Sequence, residues 1–319
     1  MTDQTMSASH VSPLAPSQPI RAHITPAGTR GEGDISYLEW GAGKDLPPFH
    51  FAHANGFNGQ TYSEVLAPLA SEFHIRAWDA RGHGATTLEA NPARQKGWNI
   101  YADDLIAMLE NFHAETGQKV LLAGHSMGGT TSLLAAAKRP DLVRGLLLLD
   151  PVMIPLFASR MMTVLNNLPF NIKSSGMVEA AARRRSQFES REAVVTAYLG
   201  RGAFRTWPDK MVQDYVAGGT HEVATGVELS CAPAWEAANF AGHRHNAWAA
   251  LRKLQVPVSL LYAGIGSTCR APAPALIAKA DKRATIARLG TCTHFLPMEK
   301  PEVVQAEMRA LEGRTRPKT

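Results

Sequence analysis

Ser126 stands in Gly124-His125-Ser126-Met127-Gly128, behind a short apolar run, Val120–Ala123, and ahead of a helical stretch, Met127–Lys138. A nucleophilic serine needs its hydroxyl exposed on a tight strand-to-helix turn, and small flanking residues relieve the crowding such a turn creates. The turn also puts the N–H of Met127 at a helix start, where it can donate to an oxyanion. A serine hydroxyl is a weak nucleophile near neutrality and needs a base. Among 12 histidines, His294 has the position for that role. It lies just past the last candidate strand, in Gly290-Thr-Cys-Thr-His294-Phe-Leu-Pro, ahead of a helix opening at Pro301. His83, inside Asp79-Ala-Arg-Gly-His-Gly84, reads as a structural turn residue, and His125 as a partly buried neighbour of the nucleophile. His243 and His245 could line a pocket. A Ser–His pair of this kind performs acyl transfer and implies neither cofactor nor metal.

Such groups must be held by strands and helices, and these alternate along the chain, as in an α/β fold with a mostly parallel sheet. Strands are expected at Ile35–Gly41, Phe49–Ala52, Phe73–Trp78, Val120–Ala123, Leu146–Leu149, Val256–Ala263 and Thr285–Leu289. Helical patterns run over Tyr62–Ala70, Trp98–Phe112, Met127–Lys138, Ala273–Ala280 and from Pro301 to about Leu311. Uniformly apolar strands such as Leu146–Leu149 suit a sheet covered on both faces. Between Pro151 and Asn246 no strand is expected. Helices are expected there at Ile154–Leu168, Met177–Phe188, Arg191–Leu199 and Lys210–Val216. The chain therefore divides into a disordered leader (1–20), a core (21–150 and 247–319) and a helical cap (151–246).

Hydrophobic residues make up 45% and charged residues 19%, an ordinary balance for a globular chain of 319 residues. The net charge of +5 is dispersed, with no nucleic-acid signature. Its one dense run, Arg183-Arg184-Arg185, reads as a solvated helix face. No segment is long and apolar enough to span a bilayer, and the leader lacks a signal-peptide core, so the expected compartment is the cytoplasm. Three cysteines, Cys231, Cys269 and Cys292, match no zinc spacing and argue against a disulfide framework. Cys269 and Cys292 follow successive candidate strands and could lie close. Nothing in the sequence sets an oligomeric state.

Four motifs, His53-Ala-Asn-Gly56, Asp79-x-Arg-Gly-His-Gly84, Gly124-His-Ser-Met-Gly-Gly129 and the His294 loop, occur in one order over residues 30–150 and 250–312. In this the sequence resembles the α/β-hydrolase superfamily, specifically its capped serine esterase-like members. The resemblance implies an eight-stranded sheet with a lid inserted after the sixth strand. It also implies a second oxyanion donor after the third strand, which here is Asn55 beside Met127. Ala54 replaces the usual glycine, leaving open whether the N–H of Asn55 or of Gly56 points inward, or whether the Asn55 amide serves.

Most relatives carry the triad acid after the seventh strand, but no Asp or Glu occurs in the segment Ala237–Ala280. Some relatives, including haloalkane dehalogenases, carry it at the end of the sixth strand, where this chain has Asp150. Asp79 belongs to the structural turn. The resemblance thus implies hydrolysis of small to medium hydrophobic carboxylic esters by Ser126, His294 and Asp150. Met153, Phe157, Met161, Met162, Phe170, Trp207, Trp235 and Phe240 supply the apolar material of the cap. Rival readings on the same triad are carbon–carbon bond hydrolase, lactonase, amidase, peptidase and perhydrolase. A non-enzymatic ligand receptor on this fold is a further alternative.

Overall fold

The computed structural model describes residues 18–43, 45–154, 157 and 176–316. Eight strands form the main sheet: β1 (Ile20–Ile24), β2 (Ile35–Trp40), β3 (Pro48–Ala52), β4 (His74–Trp78), β5 (Val120–His125), β6 (Val143–Leu149), β10 (Val258–Ala263) and β11 (Thr285–Leu289). Their order is β1-β2-β4-β3-β5-β6-β10-β11. β2 runs antiparallel to β1 and β4, and the remaining pairs are parallel. The mostly parallel eight-stranded sheet expected from the sequence is therefore present.

Strand alternation divides the core between the two faces. Leu146 and Leu148 of β6 pack with Leu122, Tyr101, Leu105 and Leu133 on one side. Leu147 and Leu149 join Leu121, Phe49, Phe51, Tyr62 and Leu311 on the other. Burying each such leucine contributes roughly 1.5–3 kcal/mol, which is why these strands carry no polar face. Helices α1 (Asn99–Thr116), α2 (Met127–Lys138) and the later α8 (Ala273–Ala280) and α9 (Pro301–Thr315) cover the sheet. Among the described residues no helix is long and apolar enough to cross a membrane.

The chain leaves the sheet after Leu149 and rejoins it at Val258. The intervening segment holds α3 (Gly176–Ala182), α4 (Arg191–Tyr198), α5 (Asp209–Gly219), α6 (Pro233–Ala241) and α7 (Ala247–Lys253). It is not wholly helical: β7 (Gln187–Phe188), β8 (Thr220–Val223) and β9 (Gly226–Leu229) form a small antiparallel sheet in the order β7-β9-β8. The helix expected over Met177–Phe188 ends at Ala182, because Phe188 pairs with Val227 and is buried against the core instead. The helix expected over Ile154–Leu168, with Met161, Met162 and Phe170, falls largely outside the described residues. So does the leader as far as residue 17. Its last residue, Ile20, instead begins β1, where Ile24 pairs with Ile35.

Candidate active site

The loops that matter leave the carboxyl ends of β3, β5, β6, β10 and β11, the edge where sites form in open parallel sheets. After β5 the backbone turns sharply, and Ser126 adopts φ 55 and ψ −118 before α2 begins. A residue other than glycine at positive φ is costly, and such strain concentrates at functional turns. The flanking glycines are sterically required. A Cβ on Gly124 would meet the Gly128 carbonyl carbon at 2.4 Å, and one on Gly128 would meet the Ala52 oxygen at 2.1 Å. Ser126 N–H donates to the Leu149 carbonyl at 3.0 Å, which ties the turn to the end of β6.

Ser126, His294 and Asp150 form one hydrogen-bonded chain. Nε2 of His294 lies 2.9 Å from Ser126 Oγ, and Nδ1 lies 2.6 Å from Asp150 Oδ2. An ionised carboxylate only accepts, so Nδ1 carries the proton and Nε2 is free to take one from the serine. Asp150 is fully buried and sits at φ 41, a second strained residue. Burial alone would raise its pKa. The hydrogen bond and charge of His294, with donation from Ser267 and the Ala263 N–H, outweigh burial and hold the carboxyl below its ordinary range. Ser267 Oγ donates to Oδ1 at 2.5 Å, Ala263 N–H to Oδ1 at 3.0 Å and Thr268 N–H to Oδ2 at 3.0 Å. The sequence reading missed Ser267 and Thr268. Their signal was available, since two hydroxyl residues occupy the loop where most relatives carry the acid.

Asp79 is placed elsewhere. Its carboxylate accepts from Arg21 Nη1 at 2.6 Å, from Gly59 N–H at 2.9 Å and from Ala85 N–H at 3.0 Å, closing the turn as expected. His83 belongs to the same turn. Burial pushes its pKa down to about 3. Its Nδ1 faces the Arg81 carbonyl at 2.9 Å, so Nε2 is left to accept from Gly56 N–H at 3.0 Å. That bond distinguishes the two N–H groups after β3 by their partners. Gly56 is committed, whereas the N–H of Asn55 has no acceptor among the described residues. The N–H of Met127, at the first turn of α2, likewise lacks one, as helix starts do. The Asn55 side-chain amide is not free either, being bonded to Glu236 and Asn239.

His125 is buried, and burial followed by the neighbouring His294 pushes its pKa down to about 3. Its Nε2 faces the His294 carbonyl at 2.8 Å and must be the protonated nitrogen, so Nδ1 accepts from Tyr62 Oη at 2.8 Å. The residue before Ser126 thus props the loop that carries His294. His245 stacks on Trp98 with ring centres 4.6 Å apart.

The triple-arginine run is corrected. Arg184 turns inward, away from solvent. Its Nη1 pairs with Glu236 at 2.9 Å, its Nη2 donates to Tyr215 Oη at 2.7 Å and its Nε to Tyr198 Oη at 3.2 Å. The run lies wholly past the end of α3, where Arg183 and Arg185 are exposed and only Arg184 turns in. Arg184 and Glu236 line a cavity of about 390 Å³ with Phe57, Tyr198, Phe204 and Phe240. Phe57 also packs against Trp207 and Phe295, the neighbour of His294. Phe157, assigned to the cap's apolar material, is instead 79% exposed.

Glu39, His74 and Glu115 cluster closely enough to suggest a metal, but the Arg76 guanidinium bonds both carboxylates and already places a cation among them. Cys231, Cys269 and Cys292 are buried free thiols.

The family model described as serine aminopeptidase, S33, matches residues 50–201. The 2-(acetamidomethylene)succinate hydrolase of Mesorhizobium japonicum is 36% identical over 123 residues, 38% of this chain and 40% of that protein. The monoglyceride lipase of Rattus norvegicus is 32% identical over 110 residues, 32% of this chain and 34% of that one. The chain thus spans about two fifths or less of the length of these curated relatives. Likeness to solved structures runs much further. An E-2-(acetamidomethylene)succinate hydrolase superposes with a TM-score of 0.72 at 22% identity, covering 92% of this chain and 99% of the other. A thermophilic esterase from Thermogutta terrifontis gives 0.66 at 21%, covering 93% and 100%. With the sheet order and the turn at Ser126 matching that architecture, the chain has the α/β-hydrolase fold.

Proposed function

We propose that this protein is a serine hydrolase that cleaves small to medium hydrophobic carboxylic esters through an acyl-enzyme. One observation carries the reading: the unbroken hydrogen-bonded chain from Ser126 Oγ through His294 to Asp150. His294 Nε2 takes the hydroxyl proton as Ser126 Oγ attacks the ester carbonyl. The N–H groups of Asn55 and Met127 receive the developing oxyanion. Asp150 holds the ring in the tautomer that leaves Nε2 basic and supports the imidazolium that forms. The tetrahedral intermediate collapses, the acyl–oxygen bond breaks, and His294 returns its proton to the leaving alcohol. Water then repeats the sequence on the acyl-enzyme, releasing the acid and restoring Ser126. No step calls on a metal or cofactor.

The hydrophobic preference is supported by the aromatic walls beside the site, Phe57, Phe204, Trp207, Phe240 and Phe295. We assign residues 151–246 to a lid over the strand ends, with its small antiparallel sheet as part of it. The test is hydrolysis of a p-nitrophenyl ester series of increasing acyl length, by the wild-type protein and by Ser126→Ala. The wild type should show an acylation burst and a preference along the series. Folded Ser126→Ala should show neither, since loss of a serine nucleophile costs up to roughly 10⁶-fold in kcat. Unchanged turnover in that variant would sink the proposal. A panel of amides, lactones and carbon–carbon substrates separates the rival reactions on the same triad.

A further inference from the structure

The turn after β3 presents three successive backbone N–H groups, and two have fixed acceptors. Ala54 N–H donates to Tyr62 Oη at 3.2 Å, and Gly56 N–H to His83 Nε2 at 3.0 Å. The N–H of Asn55, between them, has none among the described residues. Its side chain is fully engaged. Nδ2 donates to the Glu236 carbonyl at 3.1 Å, and Oδ1 accepts from Asn239 Nδ2 at 2.9 Å. Both partners lie on α6, within the segment inserted after β6.

Asn239 is completely buried. Its Oδ1 accepts from Gln95 Nε2 at 2.6 Å and from Tyr101 Oη at 2.9 Å, and its carbonyl accepts from Trp98 Nε1 at 3.0 Å. The Glu236 carbonyl can only accept, so it fixes Asn55 Nδ2 toward itself and Asn55 Oδ1 toward Asn239, and Asn239 must then present its amino group to Asn55 and its oxygen to Gln95. A buried amide held on both sides cannot rotate without leaving a polar group unpaired. Its free donor therefore points at Asn55 in one fixed direction.

We propose that Asn239 is a positioning residue that holds the Asn55 backbone N–H at the oxyanion, so that the inserted segment contributes to the transition state as well as to substrate choice. This rests on the serine-hydrolase reading above. Oxyanion donors act by being preorganised, with the donor about 2.7–3.1 Å from the developing charge. Displacing a reacting geometry by about 1 Å can cost on the order of 100-fold. The pair of amide contacts to α6 adds a side-chain restraint on Asn55 to the backbone bonds on either side of it.

The test compares wild type, Asn239→Leu, Asn55→Ala and the double variant, all as full-length chains. Asn55→Ala keeps the backbone donor and removes only the clamp. Two quantities are read: kcat and KM on p-nitrophenyl butyrate, and inhibition by an alkyl trifluoromethyl ketone beside that of the matching secondary alcohol. The ketone adds Ser126 Oγ to its carbonyl and so carries an oxyanion, whereas the alcohol does not. Each single variant should lose roughly 10- to 100-fold in kcat and the same factor in ketone affinity, with KM and alcohol affinity nearly unchanged. The double variant should lose no more than either single one. Asn239→Leu orphans Gln95 and Tyr101, so Asn55→Ala reads the same contact where the leucine variant does not fold. In the wild-type ketone adduct the amide proton of Asn55 should shift downfield while that of Gly56 stays, which needs no variant at all.

Folded variants with wild-type kcat and ketone affinity overturn the inference and leave the serine-hydrolase reading standing. An equal loss for ketone and alcohol means general damage to the pocket and also overturns it. A wild-type protein that neither hydrolyses esters nor binds the ketone removes the functional reading, and this inference with it.

Discussion

Replacing Asp150 with asparagine tests the acid assignment more sharply than removing it. The carboxylate accepts from Ala263 N–H and Ser267 Oγ on Oδ1, and from Thr268 N–H and His294 Nδ1 on Oδ2, with Thr268 Oγ1 a longer 3.3 Å from Oδ2. An amide offers one oxygen and one NH₂. With the oxygen toward Ala263 and Ser267, the NH₂ faces Thr268 N–H and His294 Nδ1. The ring must then move its proton to Nε2, which ends its use as a base toward Ser126. With the amide reversed, the NH₂ confronts the Ala263 N–H instead. Either orientation leaves one buried donor facing another, costing about 1–3 kcal/mol. The wrong tautomer lowers kcat by up to roughly 10⁴-fold, the size known for the equivalent change in a serine protease. The assay is kcat on the best p-nitrophenyl ester at matched folded fraction, with Asp79→Asn alongside. Asp79 bonds to its own turn, to Gly59 N–H and to Arg21, so that variant should lose stability and keep kcat once folded. Loss of catalysis in Asp79→Asn with none in Asp150→Asn would refute the assignment.

Acid should unfold the protein early. Burial pushes the pKa values of His50, His53, His83 and His125 down to about 3, 4, 3 and 3. Below the unfolded value of about 6.5 the unfolded chain binds these protons and the folded one does not, so stability falls as pH falls from there toward about 4, by roughly 5 kcal/mol per pH unit for the four together. Denaturant midpoints that are equal at pH 7 and pH 5 would contradict this. Arg184→Leu should destabilise by up to about 3 kcal/mol, because it leaves the Glu236 carboxylate against Gly56 without its counter-charge. Adding Glu236→Leu should recover much of that loss in urea unfolding, and a double variant no more stable than the single one would count against the ion-pair account.

Much of this arrangement was legible in the sequence because it rests on local geometry. Gly124 answers to Gly128, four residues on, although Gly128 itself answers to Ala52 on β3, and the apolar runs of β5 and β6 answer to burial on both faces. Asp150 was reachable because Ala237–Ala280 holds no carboxylate. What stayed hidden depends on partners distant in the chain. Arg184 looks solvated until Glu236, 52 positions on, is placed beside it. Asn239 reads as an ordinary helix residue until Asn55, 184 positions back, meets its amide. The small sheet escaped notice for another reason. β8 and β9 are four residues each, with His221 and Glu222 exposed, too short for alternation to stand out from helical spacing. β1 was missed in a similar way, as a five-residue edge strand that directly follows a polar leader.

The unusual place of the acid also has a physical explanation. β6 and β10 are neighbours, with Leu149 paired to Leu261, and Asp150 N–H donates to the Leu261 carbonyl at 2.8 Å. A carboxylate at the end of either strand can therefore reach the same histidine nitrogen. What differs is the backbone. At the end of β6 the residue must turn at positive φ, which costs on the order of 1 kcal/mol or more for a residue other than glycine, and the carboxylate must be buried without a cation beyond His294. Ser267, Thr268 and the Ala263 N–H meet both demands. They supply the donors that a buried carboxylate requires, and Thr268 Oγ1 bonds the Asp150 carbonyl at 2.8 Å, pinning the strained peptide. The end of β10 and the loop after it thus supply the groups that hold the Asp150 carboxylate. The two strand ends act as one unit, in which neither Asp150 nor the Ser267-Thr268 pair would orient His294 without the other.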